Sequence, residues 1–419
     1  MIGYNQKVMT SRERICAALN HQETDRVPVD FSGHRSSGIA ALVYSDLRKH
    51  LGLPLKPVRV YDMIQQLAIV DEDVLDRFGV DTVEMGRGFL TEKGAWKDWV
   101  LPDGTPCRIP YYIPIKKKGE HWFLLNSKGN ELAVQRKGTL YFEQIHFPLA
   151  DRDFSADDFD DLEEMLTQTV WTEVASPGGH LPLNEKGLAE MAEKAQKLRQ
   201  STDRAIIGLF GGNMFEIPQM LFRMDHYLMF LSLYPDKALY FSQKLCDLHM
   251  RNLEKWLGAV GPYIDIALFG DDLGGQTGPL ISPQMYRNMI KPFHQKLWKR
   301  AKELADVKVM LHCCGGVREL MEDLIDAGLD AINPVQINAA GMEPGGLKKD
   351  FGDKITFWGG GCDTRDILPH NSPEQVAAHV RKMVRLLQPE GGFVFQQVHN
   401  ILADVPAENI AAMFDAINE

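Results

Sequence analysis

"VKVMLHCCGGVRELMEDLIDAGLD", residues 307–330, carries the reading of the fold. A short, almost wholly apolar run ends in His312, Cys313 and Cys314. Two glycines follow, then a helical pattern that stops at Gly328, a typical C-cap residue. Near-continuous apolarity over so few residues is the mark of a strand buried on both faces, as in a parallel sheet. The unit is strand, turn, helix, and it recurs along the chain.

Working outward, eight such runs stand out: 26–33, 80–88, 204–212, 264–272, 307–316, 329–336, 354–361 and 391–400. Helical patterns lie between most of them. The segment 282–305 opens on Ser282 as N-cap, and 372–387 opens on Ser372 with Pro373 behind it. Residues 1–25 read as an N-terminal helix capped by Ser11. Eight strands alternating with helices predict an α/β fold, a (β/α)8 TIM-type barrel, with a doubly wound open sheet as runner-up. The stretch 89–150 breaks the rhythm. It alternates β-branched and aromatic residues between turns at Asp103-Gly104, Lys118-Gly119 and Lys128-Gly129, and predicts a β-hairpin insertion after the second strand. The acidic segment 151–165 reads as a solvated helix start. Residues 1–419 are expected to form one barrel domain with 89–150 as a β-rich insertion.

The chain has 419 residues, 44% of them hydrophobic, enough for a sizeable core. Its 46 Lys and Arg stand against 57 Asp and Glu, a net charge of −11, which argues against nucleic acid as the main partner. Six cysteines in this length are not a disulfide framework. No apolar h-region opens the sequence and no run is long enough to span a bilayer, so a cytoplasmic protein with no membrane partner is expected.

In such a barrel the chemistry gathers at the carboxyl ends of the strands. The first strand delivers His34 and Arg35. The fourth delivers Asp271, Asp272 and Gln276, the fifth His312 and Cys314, the sixth Asn333 and Gln336. The seventh delivers Cys362, Asp363 and Arg365, and the eighth His399 and Asn400. Side chains alternate along a strand. His312 and Cys314 therefore share one face, and Cys313 points away against a helix. Imidazole and thiolate suit Zn²⁺, and a catalytic zinc takes three protein ligands with a fourth position open. His399 and Cys362 compete for the third place. The apolar run before His399 is longer and better defined, which favours it. Cys362 follows three glycines, whose backbone could approach a ligand instead. Asp271-Asp272 reads equally as an acid pair or as capping residues.

Several longer stretches carry a resemblance: "SRERICAALNHQETDRVPVDF" (11–31), "GDDLGGQTGPLISPQMYRNMIKP" (270–292), "LHCCGG", "DAINPVQ", "LKKDFG", "FWGGGCDT", "GGFVFQQVHNI" and "VPAENI". Together they resemble the uroporphyrinogen decarboxylase superfamily from about residue 10 onward, apart from 89–150. Two branches bear on function. The cofactor-free decarboxylases grip a tetrapyrrole through several arginines in an N-terminal loop. Here that loop, "FSGHRSSGIA", holds Arg35 alone. The corrinoid-linked zinc methyltransferases pair a His-x-Cys with a cysteine at the end of the last strand. His312 and Cys314 match the first part, and the final position falls on or near His399.

The resemblance to the second branch implies a methyltransferase holding Zn²⁺ on His312, Cys314 and His399, with Asp272 and Gln276 orienting a small methyl donor or acceptor. Arg35, His34, Asn333, Gln336 and Asp363 are the expected substrate contacts. The chain lacks the Asp-x-His-x-x-Gly motif of corrinoid carriers, so the corrinoid would come on a partner protein. A homodimer is what the family suggests. On the decarboxylase alternative, Asp62 or Asp272 would stabilise a protonated pyrrole and Arg35 would hold a carboxylate.

Overall fold

The computed structural model describes residues 8–170 and 181–419. Seven strands form one parallel sheet in chain order: Thr82–Glu84, Ala205–Gly211, Ile266–Gly270, Lys308–His312, Ala331–Asn333, Thr356–Trp358 and Phe393–Val394. The run expected as the first strand closes this sheet on itself. The Phe395 N–H donates to the Pro28 carbonyl and the Asp30 N–H to the Phe395 carbonyl, both at 2.8 Å. On the other edge the Asp81 N–H donates to the Val29 carbonyl at 2.8 Å. Pairing is confined to these few residues, because Pro28 has no N–H to give and Ser32 turns the chain at φ +61°. The architecture is a (β/α)8 barrel.

Alternation sorts the side chains into two cores. Ala205, Ile207, Ile266, Leu268, Met310, Ala331, Trp358 and Val394 fill the barrel interior, with Ile15, Ala18 and Leu19 of the N-terminal helix Ser11–Leu19 plugging its lower end. Ile206, Ala267, Val309, Leu311, Ile332, Phe357 and Phe393 point outward into the helix layer. The interior is solid below. The polar side chains of the expected site lie above this plug, at the carboxyl ends, while Arg14 of the plugging helix pairs with Asp25 and Asp81 at the lower end.

Three expectations need correction in detail. The N-terminal helix is capped by Thr10, not Ser11: the Thr10 hydroxyl accepts the Glu13 N–H, and Glu13 returns the bond to the Thr10 N–H. Residues 1–7 of that expected helix lie outside the described residues. The segment 282–305 is two helices, Pro283–Met289 and Lys291–Leu304, broken at Ile290. Pro292 cannot continue the hydrogen-bond ladder across that point. The insertion is more than a hairpin. The meander Ile115–Lys118, His121–Leu125, Glu131–Gln135 and Glu143–Gln144 forms one sheet. Trp96–Val100 and Pro106–Pro110 form another with Val58–Asp62 and Leu67–Ala68, strands the sequence reading missed. Trp99 and Trp122 meet edge to face between the two sheets, 5.8 Å apart. The turn glycines at 104, 119 and 129 all take positive φ, as the hairpin reading required. Among the described residues no helix is long and apolar enough to cross a membrane.

Candidate metal centre

The fifth strand climbs the barrel interior through Met310, His312 and Cys314. Cys313 turns outward, 1% exposed, where its Sγ accepts the Leu273 N–H at 3.3 Å. The adjacent cysteines therefore face different environments, as alternation required. Gly315 follows in the left-handed region at φ +86°. A Cβ there would come within 2.2 Å of the Gly274 carbonyl carbon. Only glycine lets the loop after the fourth strand cross so close above Cys314. The same crossing pins the strand end: the Cys314 N–H donates to Asp272 Oδ1 and the Gly315 N–H to Gln336 Oε1, both at 2.8 Å.

His399, from the loop after the eighth strand, completes the face. One ligand atom from each of His312, Cys314 and His399 lies within 4.8 Å of the others. Cys314 Sγ is 3.4 Å from His312 Nε2, and the two imidazole rings lie 5.5 Å apart at 62°. Two imidazoles and a thiol are a donor set that fits zinc and leaves a fourth position open. Cys362 is elsewhere. Its backbone bridges to Gln397, and its thiol is fully buried against the Asp363 carbonyl at 3.8 Å. The glycines before it approach other parts of the protein rather than a ligand, with a Cβ on Gly359 only 2.0 Å from the Pro334 carbonyl oxygen and one on Gly361 2.4 Å from the Phe395 ring.

Burial holds His399 neutral, down to about 3, with His312 and His34 adding to the effect. Burial likewise lowers His312, against the pull of Asp272. It pushes the Cys314 thiol well up, and Asp272 pushes it further. A metal ion would meet two neutral imidazoles and would have to displace the thiol proton.

The orientation of His312 is fixed by a hydrogen-bonded chain. Asn333 Nδ2 donates to the Trp358 carbonyl at 2.9 Å and to Gln396 Oε1 at 2.8 Å. Its Oδ1 is therefore the atom facing the ring, 2.8 Å from His312 Nδ1. His312 Nε2 lies on the other side of the ring, 3.4 Å from Cys314 Sγ. Gln396 is oriented in turn by its Nε2 donating to the Ser36 carbonyl at 3.0 Å. Its Oε1 receives His34 Nε2 at 3.0 Å, because His34 Nδ1 already accepts the Ser36 N–H. Asn333 and His34, expected as substrate contacts, are buried inside this network.

The other expected residues separate by role. Asp271 is wholly buried and accepts the N–H groups of Met214, Phe215 and Glu216 at 2.7–2.8 Å, together with His294 Nε2 at 2.7 Å. It caps the Glu216–Phe222 helix and is not half of an acid pair. Asp272 is the one that faces the site. Its carboxylate partner is Glu216, which sequence reasoning missed. Burial and the charges of Asp272 and Asp271 push the Glu216 carboxyl well above its usual range. Only its place just past the end of the third strand could have flagged it.

Gln276 sits exposed at the tip between Gly274–Gly275 and Gly278–Pro279. Asp62 is buried, with Oδ1 accepting the Ile64 and Gln65 N–H groups at 2.9 Å and Oδ2 3.4 Å from Arg35 Nε. Burial raises the Asp62 carboxyl. Asp363 closes its own turn on the Arg365 and Asp366 N–H groups. Asn400 spans from Gly38 to Gln65.

A pH effect follows from His399. Its ordinary value is 6.5 and the fold holds it near 3. Between these the unfolded chain binds a proton that the folded chain does not. The stability His399 contributes is present above 6.5 and is lost as pH falls toward 3. Urea midpoints of metal-free protein and of His399→Gln measure it. The wild-type advantage should shrink as pH falls from ~7 to ~5, and a constant difference would contradict the burial of a neutral ring.

A methyltransferase from Methanosarcina mazei shares the fold, with a TM-score of 0.57 at 15% identity over 97% of this chain and 98% of its own. A GH10 endoxylanase retrieved from a sugarcane soil metagenome aligns over 54% of this chain and 82% of its own, at 8% identity and a TM-score of 0.34. No curated protein matches the chain. The model of the uroporphyrinogen decarboxylase (URO-D) family matches residues 174–419, a stretch that holds the Asp271–Asp272 turn, His312, Cys314 and His399. The chain belongs to the uroporphyrinogen decarboxylase family.

Proposed function

We propose that the chain is a zinc-dependent methyltransferase of this family, exchanging a methyl group between a small substrate and a corrinoid carried by a separate protein. One observation carries the reading: a thiol and two neutral imidazoles converge at the barrel mouth, with His312 Nε2 3.4 Å from Cys314 Sγ. The whole-chain likeness in fold to an archaeal methyltransferase supports it. When bound, zinc would act as a Lewis acid, favouring the deprotonated form of a thiol or polarising the oxygen of a methyl ether. His312, Cys314 and His399 hold the ion. Asp272 stands at its edge, 3.8 Å from His312 Nε2, and with Gln276 on the flanking hairpin orients the substrate. The enzyme acts in the cytoplasm as a homodimer, each subunit one barrel domain with the 89–150 insertion beside its mouth.

Methylcobalamin, the free cofactor, serves as probe. With a thiol acceptor the balance is RSH plus methyl-Co(III) giving RSCH₃, Co(I) and a proton, which the corrinoid spectrum reports. Zinc-loaded protein should demethylate the probe with at least one of a set of small thiols, and chelator-treated protein should not. Equal rates with and without zinc would refute the reading. The family's decarboxylase description favours a second reading. Loss of carboxylates from uroporphyrinogen on incubation with the chain would establish that alternative.

A further inference from the structure

His312 has two possible neutral forms, and each finds a partner in the protein. With hydrogen on Nδ1 it donates to Asn333 Oδ1 at 2.8 Å. With hydrogen on Nε2 it would donate to Ser36 Oγ, 3.4 Å away, and its lone pair would turn from Cys314 toward Asn333. The second form could not serve the centre, because the nitrogen beside Cys314 would carry a proton. Something must choose between them.

Asn333 is built to make that choice. It is wholly buried at the end of the sixth strand and exposes nothing to a substrate. Both hydrogens of its amide are taken, one by the Trp358 carbonyl and one by Gln396 Oε1. A flipped amide would set its oxygen against two acceptors. Gln396 cannot reverse either, since its own nitrogen is held by the Ser36 carbonyl and its oxygen receives His34. The chain ends at the barrel wall, where Asp30 lies 3.2 Å from His34 Nε2 and accepts the Trp358 indole N–H at 2.7 Å. Two backbone carbonyls thus settle the direction of two side-chain amides, and the second amide settles the proton on His312.

We propose that Asn333, locked by Gln396 and the Trp358 carbonyl, is a positioning residue that sets the Nδ1–H form of His312 before any metal arrives. This rests on the reading of His312 as a ligand, and it replaces the expectation that Asn333 contacts substrate. Amide and carboxylate partners of ligand histidines tune metal affinity by ~10–100-fold elsewhere.

The test has an arm that needs no metal. In metal-free protein with ¹⁵N-labelled histidine, long-range proton–nitrogen correlation reports which ring nitrogen of His312 is protonated. His312→Gln identifies the signal. Wild type should show Nδ1–H. Asn333→Leu should shift the ring to Nε2–H. An Nε2–H ring in wild type, or an unchanged ring in Asn333→Leu, overturns the proposal. Should Asn333→Leu fail to fold, the wild-type spectrum still decides it, since Nε2–H there is contradictory. In the second arm, chelator competition should show zinc held ~10–100-fold more weakly by Asn333→Leu than by wild type. Failure of wild type to bind zinc would sink the functional reading and leave the tautomer result standing. Normal zinc affinity in Asn333→Leu would sink this inference alone.

Discussion

If His312 is a zinc ligand as proposed, His312→Ala should fold and fail to hold zinc. Small zinc domains bind with ~10–16 kcal/mol spread over four ligands, or about 3 kcal/mol each, so removing one should weaken binding ~100-fold or more. The metal content of freshly purified variant, measured by elemental analysis, should fall from stoichiometric to near background. Cys362→Ala is the control. Its thiol points away from the centre, so its zinc content should match wild type. Full zinc retention in His312→Ala, or loss in Cys362→Ala, would contradict the assignment. The fold should survive His312→Ala because the ring is partly exposed at the mouth and makes only one strong bond, to Asn333.

The two neighbouring aspartates should behave in opposite ways. Asp271→Ala removes the acceptor for three backbone N–H groups and for the His294 ring, all but the Glu216 N–H fully buried. Each orphaned donor costs about 1–3 kcal/mol, and a broken buried charge network about 3–5 kcal/mol in all. Asp272→Ala removes one bond, to the Cys314 N–H, from a side chain 37% exposed. Its stability cost should be about 1 kcal/mol or less. Urea unfolding separates the cases. Asp271→Ala should lower the midpoint sharply with the slope unchanged, while Asp272→Ala should barely move it and instead depress methyl transfer. Equal midpoints for the two would contradict the capping role of Asp271.

Much of the fold was legible because its signals are local. The apolar runs announced the barrel, and alternation in "LHCC" put His312 and Cys314 on one face with Cys313 on the other. Caps at Ser282 and Ser372 were read correctly from single residues. Thr10 was not, since Ser11 and Thr10 differ only in which hydroxyl reaches a backbone N–H. The strand Val58–Asp62 escaped because it pairs with the insertion rather than with the barrel, a long-range choice.

The same divide runs through the site. Pattern favoured His399 over Cys362 only slightly. The decision lies in how the seventh strand end packs, with Cys362 bridging to Gln397 and turning its thiol inward. Gln396 and Ser36 were invisible as site residues, because their partners stand 63 to 360 residues away along the chain. Glu216 emerges only when the third and fourth strand ends are seen side by side. A barrel gathers its chemistry from eight separate loops, so the ligand types can be read in sequence while their partners cannot.

A zinc ion held by one sulfur and two imidazoles at the barrel mouth would show in X-ray absorption at the zinc edge of the purified protein. The expected shell is one sulfur at ~2.3 Å, two nitrogens at ~2.0–2.1 Å and one further light atom in the open position. A zinc shell without sulfur, or protein that takes up no stoichiometric zinc, would contradict it.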